Sequence, residues 1–249
     1  MNQVIVITGV TSGFGQATAR LFAKQGWRVI GTGRRDDRLL ELGRELGDNF
    51  FPLHLDVCVR DAVFAAFAKL DGLWAEPDVL VNNAGLALGM DTVQEGSVDD
   101  WEILVDTNIK GVLYATKAIL PGMVKRNRGH VINLGSITGH YPYAGASVYS
   151  GTKAFITSFS ASLRSDLLGT AVRVSNIEPG LAKSEFALTR FHGDQDRADK
   201  VYSGVCPLTP EDIAETIRWV VSLPAHVNAN RVELMPVCQA PAAPAVYRN

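Results

Sequence analysis

Gln3-Val4-Ile5-Val6-Ile7-Thr8 is a short, β-branched apolar run that passes directly into Gly9-Val10-Thr11-Ser12-Gly13-Phe14-Gly15. A strand buried on both faces reads this way. A helical pattern follows from Gln16 to Gln25 and stops at Gly26. Strand, glycine turn and helix in succession form a known phosphate-binding context. The glycines let the backbone approach a pyrophosphate, and the helix N-terminus offers free N–H groups and a positive dipole end. The spacing here is G-x-x-x-G-x-G rather than G-x-G-x-x-G, so the turn taken alone also suits a structural turn with no ligand.

The same alternation continues along the chain. Strands are expected at 3–8, 28–33, 50–55, 78–82, 130–134, 172–178 and 231–235, and helices at 14–25, 35–46, 60–70, 98–127, 149–168 and 210–222. Such a series predicts an α/β fold, a Rossmann-like doubly wound parallel sheet with helices on both faces. At 249 residues the chain is long enough for one domain over 1–249 with a large core. Residues 181–208 show no period, and a connection that long is usually functional, so they are expected to form a lid over the substrate.

Ser136, Tyr149 and Lys153 carry the clearest chemistry. Tyr149 and Lys153 are four apart and share a helix face, while Ser136 follows the strand-like run Val131-Ile132-Asn133-Leu134. A free phenol, with a pKa of about 10, is a poor proton carrier near neutral pH. An ammonium one turn away is expected to lower it by favouring the phenolate. The serine hydroxyl then holds a carbonyl or alcohol oxygen against the phenol, making a proton-transfer site for C=O and CH–OH. The second strand ends in Gly33-Arg34-Arg35, where an NAD site would place a carboxylate. Paired guanidinium groups suit a 2′-phosphate, which favours NADP(H); the same arginines also suit a solvated helix start.

With these residues in place the chain resembles the short-chain dehydrogenase/reductase family over nearly its whole length. Thr8-Gly9-x-x-x-Gly13-x-Gly15 resembles the family's cofactor turn, Asp56-Val57 its adenine-contacting pair, and Asn82-Asn83-Ala84-Gly85 the motif ending its fourth strand. The resemblance implies that Asn108 is the helical catalytic asparagine holding a relay water near the lysine. It implies that Ser136, Tyr149 and Lys153 are the catalytic serine, tyrosine and lysine. Pro179-Gly180 matches the turn beside the nicotinamide, and Ser184 falls where many members have a threonine contacting the carboxamide. Longer strings, among them Asn82 to Gly89, Tyr141 to Gly145 and Glu233 to Val237, resemble one subgroup. That subgroup is the NADP-dependent 3-hydroxy acid dehydrogenases acting on serine or allo-threonine, with malonic semialdehyde reductases among them. Sulfoacetaldehyde reductases share the frame and are the alternative. Ala146-Ser147, Lys183 and the tail Ala240-Pro241-Ala242-Ala243-Pro244 depart from the pattern, near the substrate pocket that the resemblance implies.

The substrates so implied are anionic. Arg190 in the lid and Tyr143 in the roofing loop are the expected substrate contacts beside Ser136 and Tyr149, with Lys183, His140 and Tyr141 as weaker candidates. Arg248, near the chain end, could reach a neighbouring subunit's pocket, although its tail reads as disordered. A non-catalytic NADP-binding regulator is a further alternative; the intact triple argues against it, because a sensor has no use for Tyr149. The net charge of −2 offers no basic footprint for nucleic acid, and no apolar run is long enough to span a membrane. Cys58, Cys206 and Cys238 fit neither a disulfide framework nor a metal site and read as free thiols in a reducing cytoplasm. The first strand starts too near Met1 to leave room for a signal peptide. Helices 98–127 and 149–168 carry apolar residues on more than one side, so a homo-oligomer, a tetramer or a dimer, is expected.

Overall fold

The computed structural model describes residues 3–241. The expectations for Arg248 and for the tail beyond 241 fall outside them. Seven strands, β1 (Val4–Thr8), β2 (Arg28–Gly33), β3 (Phe50–His54), β4 (Val79–Asn82), β5 (Gly129–Leu134), β6 (Val172–Pro179) and β7 (Arg231–Leu234), form one parallel sheet in the order β3-β2-β1-β4-β5-β6-β7.

The helices are α1 (Gly13–Lys24), α2 (Asp36–Leu46), α3 (Arg60–Ala68), α4 (Val98–Val105), α5 (Gly111–Lys125), α6 (Ser147–Asp166), α7 (Phe186–Arg190), α8 (Gln195–Lys200) and α9 (Pro210–Ser222). The period of two along β1 sorts its side chains between two cores. Ile5 and Ile7 pack with Phe22, Leu39, Ile213 and Ile217 of α1, α2 and α9, while Val4 and Val6 face Val63, Ala115, Ile119 and Leu163 of α3, α5 and α6. Both faces are therefore covered, which is why the strands read as continuous apolar runs. The strand order reverses between β1 and β4, and the carboxyl ends of the strands open there into a crevice.

Two expectations are corrected. The helix expected over 98–127 is interrupted by a π-helical turn at Asp106–Lys110, between α4 and α5. The segment 181–208 is not irregular: it holds α7 and α8, of five and six residues, too short to show a period. Its two ends meet in a bridge between Ala182 and Leu208. No helix among the described residues is long and apolar enough to cross a membrane.

Candidate active site

The turn between β1 and α1 forms one wall of the crevice. Gly9 and Gly13 have φ of +75° and +55°, a backbone region that favours glycine. A Cβ at Gly15 would lie 2.3 Å from the Gly9 carbonyl oxygen, so only glycine lets the helix start this close to the turn. Thr8 then ties the turn to the end of β4. Its Oγ1 accepts from the Asn83 and Ala84 N–H groups at 3.0 and 2.9 Å, and Asn83 Nδ2 donates to the Thr8 and Gly9 carbonyls at 2.8 and 2.9 Å. Asn83 lines the crevice, but its side-chain amide is spent on holding two strands together.

A cleft of about 360 Å³ runs across these strand ends. Gly9, Thr11, Ser12, Gly13 and Phe14 line it, as do Arg34, Arg35, Asp56, Val57, Asn83, Ala84 and Gly85. Ser136, Tyr149, Lys153, Pro179, Gly180 and Ser184 line its other end. Of the expected coenzyme and catalytic residues, Gly15 lies behind the turn and Asn108 beside the cleft; the others face it.

Arg35 is oriented by the turn: it donates to Thr11 Oγ1 through Nε and Nη2 and to Ser12 Oγ through Nη2. Arg34 is more exposed and lies 3.8 Å from Asp56. The structure adds two residues that sequence reasoning missed, Arg38 and Glu185. Glu185 Oε1 accepts from Arg38 at 2.5 Å, and its Oε2 accepts from Arg35 at 2.9 Å. Arg38 could have been found, since it stands in the first turn of α2, three positions after Arg35. Glu185 gave no local signal, because its partners lie 147 and 150 positions away.

Ser136, Tyr149 and Lys153 are brought together at the cleft's inner end, each less than a tenth exposed. Thr138 donates to Ser136 Oγ from both its N–H and its hydroxyl, at 3.2 and 3.1 Å, while the Ser136 hydroxyl donates its own proton to the Pro179 carbonyl over a long 3.5 Å. Lys153 Nζ donates to the Leu134 carbonyl at 2.8 Å and lies 5.8 Å from the Tyr149 ring centroid. The expected lowering of the phenol is not what the protein alone produces. Burial pushes Tyr149 up to about 12, offset in part by the Ser136 hydroxyl and by the Arg190 charge. Lys153 is not among the groups that offset it; burial pushes its own ammonium down to about 8, which still leaves it charged near neutral pH.

Asn108 sits in the π-helical turn, a common feature of functional sites. Its Oδ1 accepts from the Leu86 N–H at 2.9 Å, and its Nδ2 donates to the Leu86 carbonyl and to Thr152 Oγ1 at 2.8 and 3.1 Å. The side chain thus pins the β4–α4 loop to α6 rather than reaching for Lys153. The two groups still converge: a Cβ at Gly85 would lie 3.2 Å from Asn108 Oδ1 and 3.7 Å from Lys153 Nζ.

Arg190, at the end of α7, is only 9 % exposed. Its guanidinium lies 5.2 Å from the Tyr149 ring centroid, 5.5 Å from Phe186 and 5.8 Å from Tyr143. Nη1 donates to the Tyr143 hydroxyl at 2.7 Å, whereas Nε and Nη2 are buried with no protein partner. Its carbonyl accepts from the Gly89 N–H, which ties the end of α7 to the β4–α4 loop. Lys183 is exposed and does not line the cleft. His140 pairs with Glu178 and packs near Tyr141, so neither of the weaker aromatic candidates faces the site.

Residues 3–195 match the family model for short chain dehydrogenases. NADP-dependent 3-hydroxy acid dehydrogenase YdfG of Escherichia coli (strain K12) is 53% identical over 247 residues, covering 99% of this chain and 100% of that protein. Serine 3-dehydrogenase of Agrobacterium fabrum is 52% identical, with 100% of both chains covered. Among solved structures, the closed form of a serine dehydrogenase complexed with NADP+ superposes with a TM-score of 0.98. It has 53% identity, covering 99% of this chain and 100% of that one. The chain belongs to the short-chain dehydrogenase family.

Proposed function

We propose that this short-chain dehydrogenase is an NADP(H)-dependent oxidoreductase that interconverts a small 3-hydroxy acid, of the serine, allo-threonine or 3-hydroxypropionate type, with its carbonyl form. One observation carries the reading. A buried Ser136–Tyr149–Lys153 group lines the inner end of the cleft, and directly behind it the buried Arg190 guanidinium, with two unpaired nitrogens, lies 5.2 Å from the Tyr149 ring centroid. The first provides proton transfer at an oxygen, and the second provides an anchor for an anion next to it.

The chain's residues fit the coenzyme. The glycine turn leaves space against α1's N-terminus for a pyrophosphate, and Arg34 and Arg35 stand at the far end of the cleft for a 2′-phosphate. Asp56 and Val57 line the adenine end, while Pro179, Gly180 and Ser184 line the nicotinamide end. When bound, the coenzyme supplies or takes up the hydride. Tyr149, held protonated by burial, donates its proton to the substrate oxygen during reduction and takes one back during oxidation. The Ser136 hydroxyl, which accepts from Thr138 and reaches the Pro179 carbonyl only at 3.5 Å, turns its proton to the same oxygen and holds it in place. Lys153 keeps a positive charge beside the phenol and a donor for the ribose, and Asn108 fixes the loop and helix between which a relay water would sit. Arg190 pairs with the substrate carboxylate through Nε and Nη2, with Tyr143 fixing its plane.

The reading extends to a single coenzyme-binding domain with a lid over 181–208, working in the cytoplasm as a homo-oligomer. Val98, Ile103 and Val124 remain exposed on α4 and α5, which supports a tetramer packed through those helices. The test is a panel assay following NADPH with serine, allo-threonine, 3-hydroxypropionate, malonic semialdehyde, sulfoacetaldehyde and isethionate. Turnover of the hydroxy acids or their semialdehydes supports the proposal. Selective turnover of the sulfonates assigns the enzyme as a sulfoacetaldehyde reductase instead.

A further inference from the structure

Glu185 is the last residue before α7, at the root of the lid, yet its carboxylate reaches across the cleft to α2. It spans Arg35 and Arg38 with one oxygen on each, and all three side chains are about two-fifths exposed. Opposing forces act on it. Partial burial would raise its pKa, but the hydrogen bonds and charges of Arg35 and Arg38 outweigh that and hold the carboxyl below the usual carboxylate range. Arg35 has four of its five N–H donors committed. Its Nε and Nη2 serve the hydroxyls of Thr11 and Ser12, and its Nη1 serves Glu185.

With one N–H left over, a phosphate monoester can make paired hydrogen bonds to Arg35 only by displacing a partner. Of the groups present, the carboxylate is the one that a dianion repels and that a guanidinium exchanges most readily for a phosphate, since both bind the same fork of donors. We propose that Glu185 is an intramolecular competitor of the coenzyme 2′-phosphate. Its carboxylate clasps the lid onto Arg35 and Arg38 and must release Arg35 when NADP(H) binds. The exchange lowers affinity for NADP(H) while leaving NAD(H), which lacks that phosphate, untouched. It also couples coenzyme exchange to loosening of the lid root. Glu185 thereby sets how strongly the enzyme prefers the phosphorylated coenzyme. The inference rests on the assignment of the arginine end of the cleft to the 2′-phosphate.

The experiment is a binding titration of NADPH and NADH, read by calorimetry or by tryptophan fluorescence with no substrate present, on wild type, Glu185→Gln and Glu185→Asp. Thermal melts confirm that each variant is folded. Removing the charge should tighten NADPH about two- to fivefold, the size expected of a part-exposed charge pair. NADH should be unchanged, and Glu185→Asp, which keeps the charge, should stay near wild type. Equal changes for both coenzymes would overturn the proposal and make Glu185 a general lid contact. Weakened NADPH alone would also overturn it, showing that Glu185 holds the arginines ready for the phosphate. Unchanged binding of both would leave the clasp without a role in coenzyme choice. A wild-type enzyme that binds NADH more tightly than NADPH would instead sink the assignment of the arginines to the 2′-phosphate.

Discussion

Arg190→Ala tests most directly whether the enzyme recognises an anionic substrate. The guanidinium has Nη1 committed to Tyr143, with Nε and Nη2 buried and unpaired. Those two nitrogens present the donor pair that a carboxylate accepts from one side. A hydrogen bond to a charged group contributes roughly 1.5–3 kcal/mol. At 1.4 kcal/mol per factor of ten, kcat/KM for an anionic substrate should fall about 10- to 150-fold. The substitution has a second effect, which the assay must separate. The Arg190 charge helps to hold the Tyr149 phenol down, and the guanidinium stacks over Tyr149 and Phe186. Its loss therefore slows proton transfer on every substrate alike. The diagnostic quantity is thus a ratio, kcat/KM for a 3-hydroxy acid over that for an uncharged alcohol of similar size, measured in parallel on wild type and variant. The ratio should drop by the stated factor, whatever happens to the absolute rates. Arg190→Lys, which keeps the charge but loses the fork, should fall between. An unchanged ratio would refute the anion-anchor argument and leave Arg190 as a lid-packing residue.

Tyr149→Phe should keep coenzyme binding and lose turnover by several orders of magnitude, because the ring packs as before and only the hydroxyl is gone; more than about a tenth of wild-type rate in a chemistry-limited assay would remove Tyr149 from acid–base work. Wild type should bind NADPH at least about tenfold more tightly than NADH, and replacing Arg34 and Arg35 together by Ala should erase that difference in equilibrium titrations. Lys153 should be a stability liability with a defined pH signature. Its folded pKa is pushed down to about 8 from an ordinary 10.5, so between those values the unfolded chain binds more protons and stability rises with pH. Below about pH 8 the full penalty applies, on the order of 3 kcal/mol at 1.36 kcal/mol per pH unit. In urea melts from pH 7 to 10, wild type should gain stability relative to Lys153→Met by up to about that amount; parallel curves would mean that the buried ammonium is not penalised.

Much of this molecule is legible from its local sequence. The β-branched runs, the glycine punctuation and the period of the amphipathic helices place every strand to within two residues of its observed ends, because strand and helix formation depend on neighbours a few positions away. Tyr149 and Lys153 could be paired from their spacing alone, since four residues is one helical turn. The same holds for the glycine turn, where positive φ at Gly9 and Gly13 restricts the residue type.

Tertiary structure decided what depends on distant partners. The helix read as unbroken over 98–127 takes a π-helical turn at Asp106–Lys110, which faces Asn108 onto Leu86 and Thr152. Helical periodicity alone cannot reveal such an insertion. Spacing predicted a phenol made more acidic by Lys153, whereas burial moves both groups toward their neutral forms, and burial is a property of the whole fold. Arg190 reads as an ordinary cation until α7 stacks it between three aromatic rings. Glu185 meets Arg35 and Arg38 only because the segment leading into α7 folds back across the cleft from about 150 residues away. Local chemistry wrote the elements and the reactive pair; the environment of each charge was set by chain segments that meet only when the sheet is complete.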